Sequence, residues 1–253
     1  MKSVEEKKKE RKLNKGQLAV LTLLYRYRFT TSELLAKFEN QKHLQVTRSR
    51  LANLEKQGYI GKRYDGSYKL AGKFASYYLL PKGLRYLKSL DVADSQVIKM
   101  IYNDSKASDK FIDFCLSVFR TAQALTSFYD KEAKVFTRTE LLDYDYFPQP
   151  QPDLYLSIKR KTLRHYFVDI YDDVTPAFVI VRKIKKYAEH HESGEWESTD
   201  SAYPEVIIAC VSDKAEQRLR KKLLVASTGD ITVYTCTINS LNPDSETGPF
   251  TEI

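Results

Sequence analysis

Two aspartates carry the chemistry that this chain could perform. Asp153 closes the run YFPQPQPD and opens the apolar stretch DLYLSI, and Asp169 lies inside the next apolar stretch, HYFVDIY. Two carboxylates brought together at neighbouring strand ends can hold a hard, oxygen-seeking cation such as Mg²⁺, and such a cation can serve phosphodiester hydrolysis. The same residues can also do nothing more than end strands. The three prolines ahead of Asp153 exclude both helix and central strand, so the chain enters the first strand stiffly and the carboxylate is aimed. In the second strand the side chains alternate, which puts Phe167, Asp169 and Tyr171 on one face and Val168 and Ile170 on the other.

Other chemistry is thinly represented. His190 and His191 are adjacent and leave a helix on different faces, His165 stands in a strand, and none has a Cys or acid at zinc-ligand spacing. There is no G-x-S-x-G, no P-loop and no G-x-G-x-x-G, which disfavours hydrolase-elbow, ATP-dependent and dinucleotide chemistry. Cys115, Cys210 and Cys236 form no metal spacing, and an odd count argues against a disulfide framework. With no run of eighteen apolar residues and no h-region in MKSVEEKKKERK, a cytoplasmic protein without a membrane span is expected. Trp196, in the polar run HHESGEWESTDSAYP, reads as a loop anchor, with a partner contact as the other reading.

The elements that must hold the aspartates follow from apolar spacing. DKFIDFCLSVFRTAQALTSFYDK carries Phe111, Phe114, Cys115, Val118, Phe119, Ala122 and Leu125 at helical intervals. KVFTRTELL reads as a strand, and DLYLSI and HYFVDIY as a hairpin. A helix follows over TPAFVIVRKIKKYAEHHES, with Thr175 as N-cap and Pro176 at N1. PEVIIACVS is a buried strand, DKAEQRLRKKLLVAS a basic helix, and ITVYTCTI a last strand. The predicted order is helix, three strands, helix, strand, helix, strand.

The front of the chain differs in kind. Residues 1 to 90 hold 21 Lys and Arg against 7 Asp and Glu, a net of +14, while the remainder is −6 within a total of +8. Such segregation points to a polyanion as the partner of the front part. KGQLAVLTLLYRYRF and TTSELLAKF read as two amphipathic helices, the second capped by Thr31 or Ser32. TRSRLANLEKQGYI makes a third, stopping at Gly58. Two β-rich runs, Tyr59 to Tyr64 and Ser76 to Leu80, are joined by eleven residues opening with Asp65-Gly66, and a helix begins at Pro81. This is the order of a winged helix-turn-helix. On it, Gln45, Thr47, Arg48 and Arg50 stand toward the exposed start of the recognition helix, and Lys62, Arg63, Lys69 and Lys73 line a wing near phosphates.

The pieces SRLANLEKQGYI, YYLLPKGLRYL, PQPD, FVDIYDD and KIKKYAEH, in that order, resemble the replication-relaxation family of bacterial plasmid and mobile-element proteins. The resemblance covers roughly residues 15 to 240. It implies an α+β or α/β fold: an N-terminal winged helix, then a restriction-endonuclease-like domain, PD-(D/E)-x-K, with a mixed central sheet. The expected division is a charged leader at 1–14, a winged helix at 15–90, a connection at 91–104, the nuclease-like domain at 105–240 and a tail at 241–253. In active nucleases of this core two carboxylates hold Mg²⁺ and a lysine two residues after the second assists. Asp153 and Asp169 match the carboxylates, but the lysine position is Tyr171, which is no cation at neutral pH. A lysine from the following helix, Lys183 or Lys186, could replace it. The expectation is therefore a protein of mobile-element replication or mobilisation that binds double-stranded DNA through its winged helix and carries a degenerate nuclease-like domain. Two alternatives stay open: a Mg²⁺- or Mn²⁺-dependent endonuclease using Asp153, Asp169 and a helix-borne lysine, and an adaptor that pairs only with proteins. A replication or mobilisation protein is a compatible partner in each case, as is a second copy of the chain.

Overall fold

The computed structural model describes residues 12–226, 229–241 and 250–253. The charged leader up to residue 11, and residues 242–249 of the expected tail, lie outside the described residues.

The front part runs α1 (Lys15–Tyr27), β1 (Thr30–Thr31), α2 (Ser32–Phe38), α3 (Leu44–Lys56), β2 (Ile60–Arg63), α4 (Gly66–Leu70), β3 (Ser76–Leu79) and α5 (Pro81–Ser89). Each start has a local cause. Asn14 and Gln17 form a reciprocal capping box at α1, the Thr31 side chain accepts from the Leu34 N–H at α2, and Pro81 opens α5. Helix α3 ends where Gly58 takes φ +73°, a conformation glycine adopts cheaply. The three strands form an antiparallel sheet in the order β1-β3-β2. The connection between β2 and β3 is no tight turn: the Asp65 carboxylate accepts from the Ser67 and Tyr68 N–H groups and nucleates α4 there.

The expected connection at 91–104 also folds. Asp94 caps α6 (Ser95–Ile101), whose Val97 and Ile101 are buried in the main core. Then come α7 (Asp109–Tyr129), β4 (Ala133–Thr137), α8 (Arg138–Leu141), β5 (Leu154–Lys159), β6 (Leu163–Tyr171), α9 (Ala177–Ser193), β7 (Glu205–Cys210), α10 (Asp213–Leu223), β8 (Val233–Thr237) and β9 (Thr251–Glu252). Three expectations need correction. KVFTRTELL is a strand only to Thr137, because Thr137 and Glu140 make a capping box that starts α8. The cap of α9 is Pro176 rather than Thr175, since Asp172 draws the Val174 and Thr175 N–H groups into a turn before the helix. The tail contributes β9, paired antiparallel to β8.

Among the described residues there are ten α-helices and a six-stranded mixed sheet ordered β4-β5-β6-β7-β8-β9. Pairs β4/β5, β5/β6 and β8/β9 are antiparallel, while β6/β7 and β7/β8 are parallel. Alternation splits the sheet into two faces. Leu154, Leu156, Val168, Ile170, Ile207 and Ala209 join α7, and through it the buried leucines of α1, α2 and α3. Phe167, Tyr171, Val206 and Ile208 pack under α9 and α10. The front part docks directly on α7, α8 and the turn ahead of α7: Tyr27 stacks on Phe119 with ring centroids 4.1 Å apart, Arg26 Nε donates to Glu140 (3.1 Å), and Arg28 pairs with the buried Asp104 in that turn. Among the described residues no helix is long and apolar enough to cross a membrane.

Candidate functional site

Register brings the two aspartates together. Leu154 pairs with Val168 across β5 and β6, so Asp153, one residue ahead of β5, lies beside Asp169. The Asp153 N–H donates to Asp169 Oδ1 (3.1 Å) and the Ile170 N–H to Asp153 Oδ2 (2.9 Å). Asp169 shares the face of Phe167 and Tyr171, under α9, and is fully buried.

Helix α9 supplies the rest. Its inward stripe Ile180, Ile184 and Tyr187 packs on the sheet, which turns Lys183 and Tyr187, four residues apart, onto Asp169. The Lys183 ammonium donates to Asp169 Oδ1 (2.6 Å) and to Asp153 Oδ1 (3.3 Å), and the Tyr187 hydroxyl donates to Asp169 Oδ2 (2.9 Å). Burial acts against the Lys183 charge, but the carboxylates of Asp153 and Asp169 outweigh it and hold its pKa above the ordinary lysine value. For Asp169 burial is the larger influence and pushes its carboxyl up, with the Lys183 charge opposing. Burial raises the Tyr187 phenol well above its usual value, so it stays a donor.

In this arrangement the two carboxylates are ion-paired: all four of their oxygens accept hydrogen bonds, and the Lys183 ammonium lies between the two Oδ1 atoms, a place that a bridging Mg²⁺ would have to share with it. Among the described residues no three His, Cys, Asp or Glu side chains converge as a metal site. Lys186 takes no part: it is exposed and paired with Glu189 at 2.7 Å, because it leaves α9 on the solvent side. At the expected lysine position, the buried Tyr171 hydroxyl accepts from Arg218 Nε (2.7 Å). Arg218 also donates to the Asp172, Asp173 and Thr175 carbonyls and so fixes the turn that leads into α9.

The basic residues of the front part divide. Gln45 and Arg48 are exposed on α3, and Lys62 and Lys69 are exposed on β2 and α4. Thr47 is different: it is fully buried, one turn before Leu51 on the inner stripe, so it is removed from any outward face. Counting back four from Leu51 in the sequence would have found this. Arg50 is drawn inward by Glu39 (2.6 Å), its side chain only 18% exposed. The outward face of α3 instead adds Ser49, Ala52 and Lys56, which sequence reasoning missed. Arg48 pairs with Glu33 (3.0 Å), Arg63 with Asp109 (3.3 Å) and Lys73 with Asp113 (2.7 Å). Trp196 is buried, its Nε1 donating to the Ala202 carbonyl (3.2 Å), and anchors its loop.

A family model described as replication-relaxation matches residues 21–206. No curated protein and no solved structure matches the chain.

Proposed function

Because the chain belongs to the replication-relaxation family, we propose that it acts in mobile-element replication or mobilisation as a double-stranded-DNA-binding protein whose nuclease-like domain is catalytically silent. Residues 15–90 serve as a winged helix-turn-helix, with α3 presenting Gln45, Arg48, Ser49 and Ala52 to a major groove and the β2–β3 wing presenting cations to phosphates. The +14 charge of residues 1 to 90 supports this reading. The order α7, β4, β5, β6, α9, β7, α10, β8 supports a restriction-endonuclease-like second domain. The observation that carries the silent role is Lys183 bridging Asp153 and Asp169, where its ammonium neutralises them and holds the two strand ends together; a helix-borne lysine at this place is also what the endonuclease reading requires, and the plasmid incubation separates the two.

An electrophoretic shift of the full chain on duplex DNA at low and moderate salt, run beside a supercoiled plasmid incubated with Mg²⁺ or Mn²⁺, tests both halves. The expected outcome is a shift that weakens steeply with salt, because cations on the protein release counterions from DNA, and an intact plasmid. No shift at either salt removes the DNA role. Nicking by the native protein that Asp169→Ala abolishes would establish the endonuclease instead.

A further inference from the structure

Among the candidate phosphate contacts, two draw their acidic partners from beyond the front part. Arg63, the last residue of β2, donates through Nη1 to the Ala107 carbonyl (2.9 Å) and pairs through Nη2 with Asp109 (3.3 Å). Lys73, just before β3, donates to Asp113 (2.7 Å). Asp109 and Asp113 are four residues apart on α7, so they project from one helix face as neighbouring anions. Together they meet the wing as two successive phosphates would.

These pairs differ from the structural ones. In Arg50–Glu39 and Arg28–Asp104 both side chains are at most one-fifth exposed, whereas the Arg63 and Lys73 pairs lie at the rim, with side chains 32–52% exposed. Rim pairs are weak and exchange readily for another anion. Lys62 and Lys69 meet no carboxylate among the described residues, and Lys62 lies 5.7 Å from the centre of the Tyr64 ring. They are available for first contact.

We infer that Arg63 and Lys73 form a phosphate-binding pair on the wing, that the Asp109 and Asp113 carboxylates occupy it in the DNA-free protein, and that duplex phosphates displace those side chains from it while α7 stays packed through Ile112. The inference rests on the duplex-binding reading above and adds its regulation: whatever neutralises or draws off the two carboxylates strengthens the grip on DNA.

The test is a double-mutant cycle on the full chain, read by fluorescence anisotropy of a labelled duplex at one fixed salt concentration, with thermal melting confirming that each variant folds. The Asp109→Asn/Asp113→Asn protein should bind roughly 3- to 10-fold more tightly than the native chain, the scale of two exposed ion pairs. Arg63→Gln/Lys73→Gln should bind more weakly, and the Asn substitutions should bring no gain in that background. Unchanged affinity of the Asn variant beside a native chain that binds would overturn the inference and leave the DNA role standing. So would a gain that persists without Arg63 and Lys73, since the carboxylates would then act only as diffuse charge. Failure of every protein to bind at low salt would overturn both.

Discussion

Lys183 is the residue on which the site turns. A buried charge deprived of its partner costs far more than the intact pair contributes, commonly about 3–5 kcal/mol. Lys183→Met should therefore destabilise the protein by about that amount at pH 8, measured by urea unfolding. The sign of the pH dependence follows from Asp169. Its folded pKa is raised by burial, so the native state holds the proton more tightly and stability falls as pH rises from the ordinary carboxylate range through the folded value. Without the ammonium that rise is larger, and the penalty of Lys183→Met should be smaller at pH 5 than at pH 8, since lowering the pH favours the neutral form of the uncompensated Asp169. Equal penalties at both pH values would show that the ammonium does not compensate the carboxylate. In the native chain Lys183 itself contributes fully at neutral pH, and its share is lost only in alkali, as pH passes from the ordinary lysine value through its raised folded one.

At the scale of elements, two glycines show how differently a missing side chain can act. Gly58 ends α3 with φ +73° and an added Cβ would meet nothing within 4 Å, so Gly58→Ala carries only the backbone penalty of about 1–2 kcal/mol. Gly83 lies in α5, where alanine would ordinarily be preferred, but its Cβ would stand 2.4 Å from the Tyr59 carbonyl oxygen. Helix α5 approaches β2 there at backbone distance. Gly83→Ala should lower the melting temperature by more than Gly58→Ala does, despite its better helix propensity. A stabilised Gly83→Ala protein would mean that α5 can move away from β2 at no cost. The position of α3 is tied to this packing, because β2 follows directly from α3 through Gly58 and Tyr59.

Across the whole molecule, a single buried cluster runs from Leu21 and Leu51 in the front part through Phe119 on α7 to Val168 and Ile207 in the large sheet. Continuity of this kind couples the stability of the two parts. Tyr27, buried and stacked on Phe119, sits at their junction. Tyr27→Ala should cost about 3 kcal/mol or more, and hydrogen exchange should accelerate together in α3 and β6. Acceleration confined to α3 would show that the two parts unfold independently. The charge segregation has a spatial counterpart here, since acids of the negative remainder, Asp104, Asp109, Asp113 and Glu140, meet arginines and a lysine of the positive front.

What the sequence by itself determined is the longer elements and the nearness of the two aspartates. Apolar period, Gly58, Pro81 and the alternation of HYFVDIY are local signals, and local backbone preference obeys them. Even the inward turn of Thr47 was present in its spacing from Leu51. The short helices α4, α6 and α8 were less legible, because each spans two turns or fewer and starts from a local cap, Asp65, Asp94 or the Thr137–Glu140 box, too short for a period to show. Only the tertiary structure decided which lysine reaches the acids, since Lys183 and Lys186 differ by less than a turn and the packing of Ile184 and Tyr187 on the sheet selects the inward one. Only it, likewise, showed which cations are already engaged: an ion pair across 40 residues, such as Lys73 with Asp113, leaves no periodic trace in the chain.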